Sequence, residues 1–306
     1  MPELPEVETV RRGLNQHTLD RSITGSEVLL SRTIAHPELP DEFSDRVQHS
    51  QIITWHRRGK YLFAELSSAR TQQPAGWLGV HLRMTGQLLW LQTQTDLHKH
   101  TRVRLFIGED WELRFVDQRT FGQMWWIPPD KQPEQVMTGM GKLGPEPFDS
   151  AFSVEYFTAK LQKSHRNIKT AILDQTLVAG LGNIYADEAL FLSKIHPNTQ
   201  ACDLTSAQIN ALRESAINVL STSIEQGGTT FSNYLNVQGT NGNYGGIAWV
   251  YNRTNQPCRV CHTPIKKIRL GGRGTHYCPE CQPNNNLLIT MATNSGYNYS
   301  CHSVYP

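Results

Sequence analysis

The apolar residues near the start of the chain recur at helical spacing. Val7, Val10 and Leu14 would lie on one face of a helix, which predicts an amphipathic helix over about residues 3–15.

The stretch from residue 23 to residue 126 has a different pattern. Short runs rich in branched and aromatic side chains, such as 60–66 and 102–107, are separated by turn residues. This pattern is typical of antiparallel strands and predicts a β-sandwich or a β-barrel.

Further changes of pattern divide the rest of the chain. Residues 128–147 carry five prolines and keep no apolar period, so we place a domain linker there. Helical spacing resumes over 153–224 and is interrupted by a glycine-rich turn at 178–183, which suggests a variant of the helix-turn-helix motif. The tail after Gln282 is rich in Asn, Ser and Tyr and almost uncharged, so we expect it to stay outside any core.

Length and charge narrow the class of protein. A chain of 306 residues can bury a sizeable core and is expected to form two domains. Its net charge is only +2, but residues 251–282 hold six basic residues and one acid, which makes this end a candidate surface for a polyanion. The sequence has no long apolar stretch, so neither a signal peptide nor a membrane span is expected.

Four of the six cysteines form one pattern, Cys258-x2-Cys261 followed after sixteen residues by Cys278-x2-Cys281. Four thiolates at these spacings can close a tetrahedral Zn²⁺ site with ligand distances of about 2.3 Å. Because all four ligands come from the protein, this zinc would be structural. Basic residues and glycines lie between the two pairs, and such a hairpin tip either presses against a phosphate backbone or is a solvated loop. The other two cysteines have no obvious partner, which suits a reducing cytosol.

The second residue is a candidate nucleophile. If Met1 is removed, Pro2 becomes a secondary amine with an ordinary pKa near ~8, so part of it is neutral at pH 7 and able to attack an electrophilic carbon. Glu3 is a candidate proton donor or acceptor beside it, and Glu6 would share its helix face. The alternative is that Pro2 only opens a helix, since proline and acidic residues are favourable in the first turn.

Two loops and one turn are candidate nucleic-acid contacts. Met84 and Phe121 each stand beside basic or polar residues at a predicted loop, where an apolar side chain can fill a gap in a base stack. Ordinary core packing is the alternative for both. Gly180 and Gly182 precede Asn183, which would let a backbone approach a phosphate, although a helix turn also needs glycine for steric reasons.

Together these motifs resemble the formamidopyrimidine-DNA glycosylases, a bacterial base-excision family, over residues 2–282. The segments that carry the resemblance are, in chain order, 2–11 (PELPEVETVR), 57–61 (RRGKY), 143–147 (LGPEP), 180–185 (GLGNIY) and the four-cysteine ribbon.

The resemblance implies an α+β multidomain fold. Its parts are an N-terminal catalytic β-sandwich flanked by helices (1–130), a linker (131–152), a helix-two-turn-helix domain (153–250) with a lid over the lesion (227–244) and a four-cysteine zinc hairpin (251–282). The tail (283–306), longer than the family needs, is expected from its composition to be disordered. The implied partner is damaged double-stranded DNA, bound in the cleft between the domains by a cytoplasmic monomer that holds one structural Zn²⁺.

The implied activity is excision of oxidised purines, typically 8-oxoguanine or a formamidopyrimidine, followed by β,δ-elimination of both flanking phosphates. Pro2 matches the nucleophile that attacks C1′ and forms an imine, and Glu3 matches the acid/base carboxylate at the sugar ring oxygen. The other matched positions are Lys60 and Arg273, which face phosphates during catalysis, then Glu6, Thr229 and Thr230 at the lesion, and His81, Met84, Arg119, Phe121, Lys169 and Asn183 as DNA contacts.

Some features depart from the family pattern. Gln118 and Thr120 flank Arg119 where relatives often carry proline and a second arginine, which bears on contacts to the opposite base. The pair Cys301-His302 suggests a second metal site, but two ligands alone rarely hold zinc, so we expect a disordered extension.

Two rival functions remain open. One is the related endonuclease VIII type, which applies the same proline chemistry to oxidised pyrimidines. Leu4 and the separated positions of Met84, Arg119 and Phe121 argue against it. The other is a non-catalytic protein that binds damaged DNA, which would follow if Met1 were retained.

Overall fold

The computed structural model describes residues 1–230 and 235–284, and its first helix joins the two halves of the molecule. Helix α1 runs over Leu4–Thr18, about one turn beyond the predicted end, with Glu3 as its N-cap. Val10 and Leu14 are fully buried in the core of the first half. Leu4, at the start of the same helix, packs instead in the core of the second half. The residues around Glu3 therefore lie where the two halves meet.

Nine strands of the first half form two sheets around one core. The strands are β1 (Ile23–Val28), β2 (Ile34–His36), β3 (Ser50–Arg58), β4 (Tyr61–Ser68), β5 (Pro74–His81), β6 (Gly86–Gln92), β7 (Thr101–Ile107), β8 (Trp111–Asp117) and β9 (Gln123–Ile127). One sheet has the order β1-β7-β8-β6 and the other β2-β9-β5-β4-β3. Alternate residues turn inward, as in β7, where Val103, Leu105 and Ile107 are buried. This arrangement confirms the predicted sandwich.

Two features correct the expectation of antiparallel strands alone over 23–126. Strand β2 runs parallel to β9, and helix α2 occupies Pro40–Val47. Phe43 and Val47, four residues apart, are the buried side of that helix. A strand of three residues is too short to show alternation, and two apolar residues are too few to show a helical period.

The proline-rich connection packs against the sandwich. It contains the short helix α3 (Pro133–Val136), and Met137 just after it is buried beneath β4 and β9. Glu146 forms ion pairs with Arg57 at 2.7 Å and with Arg58 at 3.0 Å. These contacts hold the connection to the N-terminal half.

The second half is helical and has its own core. Its helices are α4 (Val154–Leu161), α5 (Ile168–Ile172), α6 (Asn183–Leu192) and α7 (Ser206–Glu225). The glycine-rich turn lies between α5 and α6, and a capping box of Thr205 and Gln208 begins α7. A hairpin of β10 (Lys266–Leu270) and β11 (Arg273–Tyr277) completes this half.

The described part of the chain ends at residue 284. The expectations for the tail, including the pair Cys301-His302, therefore lie outside the described residues, as does the stretch 231–234 of the expected lid. Within 1–230 and 235–284, no helix is both long enough and apolar enough to cross a membrane.

Candidate active site and nucleic-acid interface

The glycine turn holds the start of α1 against the start of α6. The backbone N–H of Leu4 donates to the Gly180 carbonyl at 3.2 Å, and the Glu3 carboxylate accepts the Ile184 N–H at 3.1 Å. A Cβ on Gly182 would lie 2.2 Å from the Glu3 carboxyl carbon, so only glycine allows this approach. Pro2 is buried at the same junction. A carboxylate thus lies at the N-terminus of a helix, where backbone N–H groups favour negative charge.

Lys60 brings an amine to the same junction. It is buried, and its Nζ donates to the Leu181 carbonyl at 3.2 Å. Burial lowers the pKa of Lys60, and the charge of Glu3 opposes that change. Burial raises the pKa of Glu3, and the charge of Lys60 opposes it. Burial therefore shifts both pKa values in the direction that favours the uncharged forms, as is typical of acid/base sites.

Glu6 ties together three segments of the chain. One carboxylate oxygen accepts the Glu3 N–H at 2.8 Å, and the other accepts the Tyr185 hydroxyl at 2.5 Å and the Thr229 N–H at 2.7 Å. Burial, followed by the charge of Glu3, raises the pKa of Glu6 to about 7. The Tyr185 hydroxyl also lies 2.5 Å from the Ser223 hydroxyl. Glu6 is therefore a buried centre to which α1, α6 and the loop after α7 are all bound.

The two threonines occupy different places. Thr229 is almost fully buried against Glu6. The hydroxyl of Thr230 accepts the Gly242 N–H at 2.9 Å and so links the two sides of the loop that follows α7. Gly228 has a φ of +84°, and a Cβ there would lie 3.1 Å from the Glu6 side chain. This loop consequently begins in direct contact with the carboxylates of α1.

The zinc hairpin is positioned by α6. Asn183 donates its side-chain N–H to the Gly274 carbonyl at 3.1 Å, and Asp187 accepts the His276 backbone N–H at 2.8 Å. Arg273, at the hairpin tip, is exposed. Its positive charge acts to lower the pKa of Lys60.

Lys169 does not lie where a direct phosphate contact needs it. Its side chain is fully buried, its ammonium group pairs with the equally buried Asp187, and it lies 3.4 Å from the Gly274 carbonyl. A phosphate could reach this ammonium only after the pair had opened. The placement supports a role in holding the hairpin on α6 instead.

Met84 and Phe121 are exposed, with 38% and 52% of their surfaces accessible. The Arg119 guanidinium lies 4.9 Å from the centre of the Phe121 ring. Asp117 holds this loop by accepting the backbone N–H groups of Arg119 at 3.2 Å and of Gly122 at 2.7 Å. Met84 lies in the turn between β5 and β6 and Phe121 in the loop between β8 and β9. Both large apolar side chains are in contact with solvent, which core packing does not explain.

His81 lies behind that loop and is buried. Its Nδ1 accepts the Arg83 N–H at 3.0 Å, and burial lowers its pKa to about 3, so the ring is neutral at physiological pH. A neutral ring that already accepts one hydrogen bond has one N–H left to donate, and it can make a single directed contact.

The four cysteines of the hairpin converge. The sulfur atoms of Cys258, Cys261, Cys278 and Cys281 all lie within 4.8 Å of one another. Tetrahedral Zn²⁺ with bonds of about 2.3 Å needs ligands at this spacing. With four protein ligands no position stays open, so the zinc is structural.

Comparison with known proteins identifies the family. Residues 1–124 match the model of the formamidopyrimidine-DNA glycosylase N-terminal domain, 143–234 that of its H2TH domain, and 255–284 a zinc finger found in FPG and IleRS. The chain belongs to the formamidopyrimidine-DNA glycosylase family. A family member from Nostoc punctiforme is 64% identical over 92% of this chain and 96% of its own.

Solved structures of the Lactococcus lactis family member have the same fold. Its complex with a Fapy-dG containing DNA superposes with a TM-score of 0.81 at 35% identity, over 92% of this chain and 100% of that one. The wild-type protein bound to oxidised pyrimidine containing DNA gives a TM-score of 0.82 with the same identity and coverage.

Several residues that build this family site were not predicted from the sequence. Tyr185 and Ser223 bind around Glu6, Asp187 holds the hairpin, and Glu188 accepts the backbone N–H groups of residues 249–251. For the residues of α6, the sequence signal was the presence of polar side chains in an otherwise apolar helix. Such residues are buried only with a partner, but the partner is distant in sequence.

Proposed function

We propose that this chain removes oxidised purines, 8-oxoguanine and formamidopyrimidines, from duplex DNA and then cleaves the strand as an AP lyase. The observation that carries the proposal is the junction of Pro2, Glu3 and Lys60, which places a potential secondary amine beside a carboxyl group and an amine with perturbed pKa values. Buried groups of this kind are costly to fold and are typical of acid/base sites.

Pro2 is the proposed nucleophile. After removal of Met1, its nitrogen lone pair attacks C1′ of the damaged nucleotide, the bond from C1′ to the base breaks, and the base leaves with the proton that the proline nitrogen gives up. The bond from C1′ to the ring oxygen then opens, which leaves an iminium ion. This cation withdraws electrons from C1′, so the proton on C2′ becomes acidic and the 3′ phosphate leaves by β-elimination. δ-Elimination then releases the 5′ phosphate. No redox cofactor is needed for these steps, and the zinc takes part in none of them.

Glu3 and Lys60 are the proposed proton carriers. Glu3, protonated more readily than an ordinary carboxyl group because it is buried, donates to the sugar ring oxygen as the ring opens. Lys60 and Arg273 face the phosphates that leave, and their positive charges stabilise the developing negative charge. Glu6, Thr229 and Thr230 form the wall against which the extruded base lies.

The exposed side chains of Met84 and Phe121 support binding to DNA from which a base is flipped out. We propose that Met84 and Phe121 enter the vacated stack and that Arg119 pairs with the orphaned cytosine. Extrusion costs a few kcal/mol, and restored stacking offsets part of that cost. Asn183 and Arg273 would contact phosphates, which gives affinity without sequence preference. Binding as a monomer in the cytoplasm completes the proposal.

The test compares two damaged duplexes under single-turnover conditions. We expect base release and strand cleavage on 8-oxoguanine:C, both abolished by Pro2→Gly. The matched control is Pro5→Ala, which removes a proline from the same helix start and should leave both steps intact. Release from thymine glycol with none from 8-oxoguanine would favour the endonuclease VIII type, and tight binding without release would favour a non-catalytic binder.

A further inference from the structure

We propose that Val237 is a positioning residue that fixes the far end of the lesion lid on α1, the helix that carries Glu3 and Glu6. The inference rests on the proposed function, in which Thr229 and Thr230 form part of the wall against the extruded base. It concerns the two described flanks of that stretch, 227–230 and 235–244.

The near flank is attached to the beginning of α1. Thr229 donates its N–H to Glu6 at 2.7 Å, and the left-handed backbone of Gly228 lies directly against the Glu6 side chain. The near flank therefore moves only if the buried carboxylate loses a partner.

The far flank is attached near the end of the same helix. Val237 belongs to the core of the N-terminal half with 2% of its surface exposed, although it follows the helical half in sequence. Its carbonyl accepts the Trp90 N–H at 2.7 Å. The next residue, Gln238, places its side-chain nitrogen 3.2 Å from Nε2 of His17. The flank is thus held by a backbone hydrogen bond, an apolar side chain and a polar contact.

Gly13 makes room for Val237. A Cβ at this position would lie 2.3 Å from Val237 Cγ2, which real atoms do not tolerate. Gly13 is in the interior of α1, where glycine is unfavourable to a helix. The unfavourable free energy of a glycine inside the helix is explained if the packing of Val237 against Gly13 is required.

The two attachment points have a simple geometric relation. Glu6 and Gly13 are seven residues apart, which puts them on one face of α1 with about 10 Å between them. Both flanks are consequently attached to α1, the helix that Pro2 and Glu3 precede. With Val237 in contact with Gly13, the hydrogen bond from Gly242 to Thr230 ties the wall against the extruded base to the far flank and so to α1. Without the contact of Val237, only the near flank would hold the extruded base in position.

The experiment separates base excision from strand cleavage in the full-length, zinc-loaded protein. Single-turnover rates are measured on an 8-oxoguanine:C duplex and on a duplex with a preformed abasic site, which offers no base to hold. We expect Val237→Ala to slow base release about tenfold, the factor that two buried methyl groups are worth, and to leave cleavage of the abasic duplex within about twofold.

Two further variants test the contact from its other side. Gly13→Ala should slow base release in the same way, although alanine favours the helix and should not unfold it. In the double variant the clash disappears with the valine methyl groups, so it should be no slower than Val237→Ala alone. Val47→Ala, an equal truncation in the same core within α2, is the control for stability and should not change the ratio of the two rates.

Equal slowing of both reactions by Val237→Ala, or a ratio that Val47→Ala changes to the same extent, would overturn the positioning role while leaving the proposed function intact. A wild-type protein that acts on neither duplex would overturn the proposed function and this inference with it.

Discussion

Replacement of Lys169 by alanine should destabilise the fold. The Lys169 ammonium and the Asp187 carboxylate are fully buried and paired. Without the lysine, Asp187 loses its buried ammonium partner and keeps the contacts from His276, at 2.8 Å and 3.2 Å. Breaking one side of a buried ion pair costs about 3–5 kcal/mol, because the remaining charge stays desolvated. We expect a loss of this size in the free energy of unfolding.

The assay is urea denaturation of the zinc-loaded protein, with Lys163→Ala as the control, because Lys163 is an exposed lysine in the same helical half. The control should change stability by less than about 0.5 kcal/mol. A direct phosphate contact makes the opposite prediction. If Lys169→Ala leaves stability unchanged and makes the salt dependence of DNA binding shallower by about one unit of slope, the reasoning from burial is refuted.

Three other outcomes follow from the site. The pKa of Glu6 is raised from 4.5 to about 7, so its contribution to stability is fully present below pH 4.5 and is lost as pH rises through 7. We expect the free energy of unfolding to fall by roughly 3 kcal/mol over this range. Glu6→Gln should remove this pH dependence, measured by unfolding at pH 5 and pH 8. Gly182→Ala should displace the Glu3 carboxylate and slow excision about 100-fold. Gly246→Ala is the control, because a Cβ at that position meets nothing within 4 Å. Equal excision rates for the two variants would contradict the close approach of Gly182 to Glu3. Cys278→Ser should release zinc, measured by metal analysis, and should weaken DNA binding at least about tenfold while the β-sandwich stays folded. A variant that keeps both its zinc and its affinity for DNA would contradict a four-cysteine site.

Local patterns predicted much of the fold. The spacing of Val7, Val10 and Leu14 is a property of one helix, and the two Cys-x2-Cys pairs define their own zinc site, so both could be inferred without knowing distant contacts. Helix α2 and the parallel strand β2 could not, because each is too short to show a period and depends on the sheet beside it.

The site was predictable only in part for the same reason. Pro2 and Glu3 stand next to each other in sequence, and their chemistry can be considered from that fact alone. Tyr185, Asp187 and Lys169 acquire their roles from partners in other elements, and neither the burial of Lys169 nor the seat of Val237 on Gly13 has a signal in the neighbouring sequence.

The central claim is that the nitrogen of Pro2 forms the covalent bond to the damaged sugar. Borohydride reduction during turnover on an 8-oxoguanine:C duplex, followed by protease digestion and mass spectrometry, tests it most directly. We predict that the adduct lies on an N-terminal peptide that begins with Pro2. An adduct on Lys60, the other buried amine of the junction, or an active protein whose N-terminal peptide still carries Met1, would contradict the claim.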